Sequence, residues 1–289
     1  AGAGWITIVA DTASTTTTYA DINLSASTNY DYRVSAINVV GTGQVSATAS
    51  SNAGDVPDSP ILTLTALPSN IIQLDWTTPL NNGFSITTYA VEKSTDGTNW
   101  SPLTSINANT FTDTGLTNSA TYYYKVTAVN QVGNSVFSSP VSIVAGDAPS
   151  QVTGLTATTT SNTSIDLAWT TPNANGYAVS GYMIERSVDM GATWSTLVAD
   201  TQSLSVAYAD TGLTTGTVYT YRVSGINALG TGPPSATAAT HAGGVPDAPV
   251  LTLTALASNI IQLDWTTPLN NGFSITTYAV EKSTDGTNW

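Results

Sequence analysis

The chain contains no cysteine and a single histidine, His241, in 289 residues. Disulfide staples, thiolate chemistry and cysteine zinc sites are therefore excluded, and acid–base catalysis near neutral pH loses its usual side chain. Positive charge is nearly as scarce: 6 Lys+Arg stand against 19 Asp+Glu, a formal net charge of −13. Nucleic acid and anionic membranes both need basic surface, so neither is an expected partner. Long apolar runs are also missing. Stretches such as Leu62 to Leu67 and Ser69 to Trp76 are broken by Thr or Asp within a few residues, far short of the roughly 20 that a membrane helix needs. No membrane insertion is expected within the segment. What remains is 41% hydrophobic content with 9% charged residues, which suits buried cores and argues against disorder by charge excess. The composition is that of a non-enzyme.

What the sequence has in quantity is repetition. Val56 to Trp100 and Val245 to Trp289 are both 45 residues long and differ only at Ser59/Ala248, Ile61/Val250 and Pro68/Ala257. The same 189-residue offset carries Trp5, Tyr19, Tyr32, Arg33 and Gly41 onto Trp194, Tyr208, Tyr221, Arg222 and Gly230. A weaker period spaces Trp76, Trp169 and Trp265 by 93 and 96 residues. Two kinds of unit therefore alternate. Residues 1–54 are the later half of a type B unit, 55–146 a type A unit, 147–244 a type B unit and 245–289 the earlier half of a type A unit. The boundaries fall where Gly, Asp and Pro cluster, at Asn52 to Pro60, Ala145 to Ser150 and Ala242 to Pro249. Linkers this short restrict independent movement.

Within each unit the apolar residues alternate. Ile72, Leu74 and Trp76 face one way and Gln73 and Asp75 the other; Ile165, Leu167 and Trp169 repeat the pattern. Tyr89/Val91, Tyr182/Ile184 and the series Tyr122, Tyr124, Val126, Ala128 give further half-buried strands. Thr, Val, Ile and Tyr fill these runs, and Asn82-Gly83, Asp96-Gly97 and Asn175-Gly176 read as hairpin turns between antiparallel strands. About 95 residues of short strands is the size of a β-sandwich.

The residues at fixed places in each unit resemble the fibronectin type III family. They are an early Pro60 or Pro149, then Trp76 or Trp169, then Tyr89 or Tyr182, and then Leu116 six residues before Tyr122, followed by Val126, Ala128, Asn130 and Gly133. Leu213, Tyr219, Val223, Gly225, Asn227 and Gly230 repeat that series, as do Leu24, Tyr30, Val34, Ala36, Asn38 and Gly41. The resemblance implies an all-β chain of tandem immunoglobulin-like sandwiches in a linear array. It implies core tryptophans at Trp76, Trp169 and Trp265. It also implies corner tyrosines at Tyr30, Tyr122 and Tyr219, whose rings are buried while their hydroxyls bond backbone just upstream. Glu92 and Lys125, and Glu185 and Arg222, are expected to pair across neighbouring strands.

Neither terminal half is expected to close a sandwich alone, since Tyr32, Val34 and Ile37 in one, and Ile261, Leu263 and Trp265 in the other, would lack an opposing sheet. Two explanations point to end-to-end assembly. The segment is a window on a longer array, the commoner use of such repeats, or the tail of one copy and the head of the next combine into a hybrid sandwich. The partner is then the protein itself.

Candidate sites are few. His241 in its Gly/Ala linker reads as solvated and without a role, and carboxylate pairs such as Asp75/Asp264 and Asp21/Asp210 recur with the repeat, as structural residues do. No catalytic, cofactor-binding or metal residue is expected. Asp55, Asp58, Asp147 and Asp247 lie at junctions, where either calcium coordination or turn formation beside Pro explains them; turn formation is favoured. Asn23, Asn99 and Asn162 open N-glycosylation triplets. No Arg-Gly-Asp tripeptide is present. The expected function is a non-enzymatic repeat of an extracellular or cell-surface fibre, stalk or filament. The rival readings are an adhesin or carbohydrate-binding module that stacks sugars on aromatics such as Tyr123, and a spacer of a secreted polysaccharide-degrading enzyme.

Overall fold

The computed structural model describes residues 4–287, and every regular element among them is a β-strand. By contact density the chain divides into two units: Ala1–Thr65, Ile72–Asp113 and Thr121–Ile143 form one, and Ala66–Ile71, Thr114–Ala120 and Val144–Trp289 the other. Its first strands are β1 (Thr28–Tyr32), β2 (Ile37–Asn38), β3 (Gly41–Thr42) and β4 (Ala49–Ala53), paired only as β1 with β4 and β2 with β3.

The next seven strands build a sandwich: β5 (Leu62–Leu67), β6 (Ile71–Trp76), β7 (Thr88–Ser94), β8 (Ser101–Ile106), β9 (Thr110–Asp113), β10 (Thr121–Val129) and β11 (Val141–Val144). One sheet runs β5-β6-β9 and the other β11-β10-β7-β8. Period-two alternation decides which side chains meet between them. Ile72, Leu74 and Trp76 from one sheet, and Tyr89, Val91, Tyr122, Tyr124, Val126 and Ala128 from the other, are all buried. The Trp76 and Tyr89 rings meet edge to face at 5.6 Å, a favoured aromatic geometry.

The same plan recurs in β12 (Thr153–Ser161), β13 (Ser164–Thr170), β14 (Gly181–Ser187), β15 (Ser195–Val198), β16 (Ala207–Thr211), β17 (Val218–Asn227), β18 (Gly230–Thr231) and β19 (Ala238–His241). Here β12-β13-β16 faces β15-β14-β17-β18, with β19 also on β17. Trp169 and Tyr182 meet at 5.1 Å in a core that includes Val152, Ile165, Leu167, Ile184, Tyr219, Tyr221 and Val223. The last elements, β20 (Leu251–Leu256) and β21 (Ile260–Trp265), form a two-stranded sheet. Its apolar face has no opposing sheet, so Trp265 is 38% exposed and is not the core residue expected.

The turns differ from expectation. Asp96-Gly97 does join β7 to β8, but Asn82-Gly83 and Asn175-Gly176 turn no hairpin. They lie in the connections that cross from one sheet to the other, because β6 pairs with β5 and β9 and never with β7. The tight hairpins between β5 and β6 and between β20 and β21 use Ser69-Asn70 and Ser258-Asn259 instead, each residue with φ between 56° and 67°. Consecutive left-handed residues match the right-handed twist of paired strands.

Ile72 and Ile261 occupy the same place in two nearly identical segments but are 0% and 60% exposed. Ile72→Ala is expected to cost about 2–5 kcal/mol and Ile261→Ala less than about 0.5 kcal/mol, read from denaturant unfolding of the type A sandwich for the first and of the whole chain for the second.

Candidate functional site

Each complete sandwich carries the same two ionic arrangements. The first crosses from sheet to sheet. Asp113 on β9 accepts Lys93 Nζ at 2.9 Å and the Tyr124 hydroxyl at 2.8 Å, both from the facing sheet. Asp210 on β16 likewise accepts two hydrogen bonds from Arg186, at 2.9 and 3.1 Å, and the Tyr221 hydroxyl at 2.8 Å. Asp113 and Asp210 are 6% and 3% exposed, so each charge depends on these partners to remain in the interior. Burial first, and then the neighbouring carboxylate, hold the Tyr124 and Tyr221 hydroxyls protonated far above the ordinary phenol range.

The second arrangement lies on the outward face. Lys125 on β10 stands opposite Glu92 on β7 in register and bonds it at 2.9 Å. Its ammonium is 4.4 Å from the Trp100 ring centre and 4.1 Å from that of Phe137. Arg222 on β17 faces Glu185 on β14 through a two-pronged contact at 2.6 and 2.8 Å, with its guanidinium 4.3 Å over Trp194. A cation between a carboxylate and an aromatic face gains from both. Four of the six Lys and Arg residues are held in these positions.

A glycine stands one residue after β4 and two residues after β11 and β19, each time held against a loop. In the first unit a side chain on Gly54 would reach the Phe84 ring at 2.6 Å; in the second, one on Gly146 would meet Tyr177 at 2.7 Å, and one on Gly243 would meet Phe273 at 2.9 Å. The amide one residue on from each glycine bonds the same loop: Asp55 to the Asn82 carbonyl, Asp147 to Asn175 and Gly244 to Asn271, at 2.9 to 3.0 Å. This is the role of the Asn-Gly pairs. Three linkers within one chain thus use one small residue and one aromatic ring.

The junction carboxylates cap turns. Asp55 and Asp147 accept the following amide, and Asp58 and Asp247 accept the Asn82 and Asn271 side chains at 2.9 Å. Among the described residues no three His, Cys, Asp or Glu side chains come together as metal ligands. His241 ends β19 rather than floating in a linker, and its ring lies 5.7 Å from Phe273. At the corners the hydroxyls accept: the amide of Thr214 donates to Tyr219 at 3.0 Å and that of Ser25 to Tyr30 at 3.1 Å. Of the glycosylation candidates, Asn23 is exposed, Asn99 donates to Asp96 at 2.6 Å, and Asn162 is half-buried with its carbonyl bonded by Thr215. Tyr123 is half-buried, packed on Gly97. An open groove of about 480 Å³ in the type A sandwich is lined by uncharged residues, including Asn81, Thr87, Tyr89, Asn107 and Asn109.

The sheet-to-sheet clasp went unread in the sequence, where Asp210 and Asp21 stand out only as structural residues that recur with the repeat. The signal was there: in both complete units a cation stands two strands before an Asp, which itself stands eleven residues before a Tyr.

Paired sheets of opposite apolar faces, a Trp–Tyr contact between them and a corner tyrosine define tandem immunoglobulin-like sandwich modules. The family model described as fibronectin type III domain matches residues 57–144 and 147–241. The chain belongs to that family. Among similar proteins, Exoglucanase B of Cellulomonas fimi is 32% identical over 73% of this chain and 20% of its own length. Titin of Drosophila melanogaster is 29% identical over 98% of this chain and 2% of its own, and Neogenin of Homo sapiens 28% over 89% and 19%. The chain spans a fifth or less of these relatives. The crystal structure of chicken CNTN1 FN1-FN3 domains is 23% identical with a TM-score of 0.47, covering 76% of this chain and 78% of that one.

Removing the buried carboxylate tests the clasp. Asp210→Ala is expected to cost about 2–3 kcal/mol by leaving Arg186 and the Tyr221 hydroxyl without their acceptor. The exposed Asp166→Asn is expected to stay within about 0.5 kcal/mol; equal melting of the two variants would contradict the assignment.

Acid tests the β14–β15 turn. Hydrogen bonds from the Ser187 hydroxyl, then from the Thr193 hydroxyl and amide, lower the Asp189 carboxyl to about 2. Because its folded value is depressed, its stabilisation is complete above the unfolded value of about 3.9 and is lost as pH falls toward 2. Between pH 4 and 2 the wild type should lose more melting temperature than Asp189→Asn, and parallel curves would refute this.

Proposed function

We propose that this chain is a non-enzymatic, load-carrying repeat of an extracellular or cell-surface fibre, stalk or filament, built from sandwiches joined end to end. The observation that carries this reading is the repetition of one set of contacts in both sandwich types. The ionisable side chains most able to do chemistry are spent on holding sheet to sheet and strand to strand, at the same places each time. Catalysis needs a constellation that breaks such a repeat. The relatives support the same view: an exoglucanase, titin and neogenin differ in name yet share the tandem module, as expected of a scaffold. The glycine-and-aromatic linkers suit a segment that transmits force without slack. An exterior location fits the acidic composition and the Asn-containing triplets, of which exposed Asn23 is the most accessible to a glycan.

A second reading is favoured by the uncharged Asn- and Thr-lined groove of the type A sandwich. A neutral saccharide would suit such a lining, in an adhesin or as part of a polysaccharide-degrading enzyme that uses these modules as spacers.

Electron microscopy of native material is expected to show filaments with an axial repeat of two modules. A glycan array is expected to give no binding. Compact particles without filaments, or specific glycan binding abolished by Asn107→Ala, would favour the second reading.

A further inference from the structure

The chain's three Asn-Gly pairs, Asn82-Gly83, Asn175-Gly176 and Asn271-Gly272, all hold a linker. Each Asn lies in the left-handed region at φ 48° to 51°, and each Gly follows at φ 93° to 103°. The Asn side chains hold the linker as well. Asn82 Nδ2 donates to the Val56 carbonyl at 3.0 Å and to Asp58 Oδ1 at 2.9 Å; Asn271 Nδ2 donates to the Val245 carbonyl and to Asp247 Oδ1, both at 2.9 Å. The type B contact is uncharged. Asn175 Nδ2 donates to the Ala148 carbonyl at 2.7 Å, and Asn175 Oδ1 accepts the Asn118 amide at 3.2 Å. Ser150, whose amide bonds Asn173 as that of Asp58 bonds Leu80, stands where type A has the carboxylate.

Asn followed by Gly is a dipeptide open to loss of ammonia, because glycine lacks the side chain that would keep its amide nitrogen away from the Asn amide carbon. That nitrogen gives up its proton to a base and bonds to Asn Cγ; the Cγ–Nδ2 bond breaks and ammonia leaves. Water then adds to one carbonyl of the resulting cyclic imide, the ring bond to the Gly nitrogen breaks, and the nitrogen regains a proton. Water is consumed and ammonia released, with no change of oxidation state. The closed junction opposes the first step. The Gly83 and Gly272 amides donate to Asn81 and Asn270 Oδ1 at 3.1 and 3.2 Å, and the Asn82 and Asn271 carbonyls accept the Asp55 and Gly244 amides. Space is short as well, since a side chain on Gly83 would begin 2.9 Å from the Ala53 carbonyl.

We propose that Asn82 and Asn271 are modification sites, at which hydrolysis of the side-chain amide during opening of the junction irreversibly weakens the hold on the linker. The product inverts the contact. An amide that donates to Asp58 or Asp247 becomes a carboxylate facing that carboxylate at hydrogen-bond distance, and the bond to the Val56 or Val245 carbonyl disappears with its donor. Asn175 provides the comparison within the same chain. Its product loses the donor to Ala148 but meets the Asn118 amide, which still has an oxygen to bond. The same reaction therefore loosens type A linkers more than type B linkers. The site follows from linker chemistry alone and stands whether or not the chain builds filaments.

The test incubates the 289-residue chain, folded and in urea, at mildly alkaline pH and follows by peptide mass the conversion at Asn82. Conversion is expected to be at least about tenfold slower in the folded chain, because it waits on local opening. Hydrogen exchange then reads the consequence in Asn82→Asp. The Asp55 and Asp58 amides are expected to exchange at least about fivefold faster than in wild type, from the lost donor and the like-charge contact together, while β6 stays protected. Adding Asp58→Asn puts a donor beside the new carboxylate and is expected to slow exchange again. Asn175→Asp is expected to speed exchange at Asp147 and Ser150 by a smaller factor. Equal conversion of Asn82 in folded and unfolded chains, wild-type exchange in Asn82→Asp, no recovery with Asp58→Asn, an equal effect of Asn175→Asp, or loss of β6 protection along with that of the linker would each overturn the proposal.

Discussion

A β-sheet with one apolar face has no stable existence until a second sheet covers that face, and nearly everything in this chain follows from that requirement. The alternation of Ile72, Leu74 and Trp76 with polar residues is an instruction to face Tyr89, Tyr124 and Val126. The Trp–Tyr contacts at 5.6 and 5.1 Å fix how the two faces approach. Where the facing sheet is missing, the same sequence gives exposed apolar strands, as β20 and β21 demonstrate beside β5 and β6.

Hydrophobic cover alone leaves sliding of the sheets weakly opposed, because apolar contacts are non-directional. The buried carboxylates supply direction. Asp113 and Asp210 sit where burial would be prohibitive without a cation and a tyrosine hydroxyl from the other sheet. Replacing Lys93 by Arg186 between modules keeps the charge, and a single guanidinium nitrogen, Nη1, then donates to both oxygens of Asp210 where the Lys93 ammonium donates to one oxygen of Asp113. With four of six cations committed in this way, most of the remaining carboxylates are left without a compensating positive charge.

Much of this was legible in the residues. Period-two alternation announced β6, β7 and β10, and the outward places of Glu92 and Lys125 on adjacent strands announced their ion pair. The Leu-to-Tyr spacing announced the corner. Two things were hidden for a physical reason. Asn82-Gly83 carries a local preference for a left-handed turn, but whether the flanking strands pair with each other is a tertiary fact; here they belong to different sheets and the turn is used to hold Gly54. The buried Asp113 looks like any strand-end carboxylate until the second sheet is placed over it, since burial of a charge depends on residues distant in sequence.

The central claim is that cover by a facing sheet, and not local sequence, stabilises these strands. Hydrogen exchange resolved to the peptides around Ile72 and Ile261 in the dilute chain compares one sequence in two surroundings. The account predicts slow exchange at β6 and exchange near the unfolded rate at β21. Equal protection of both in chains that are monomeric would contradict it.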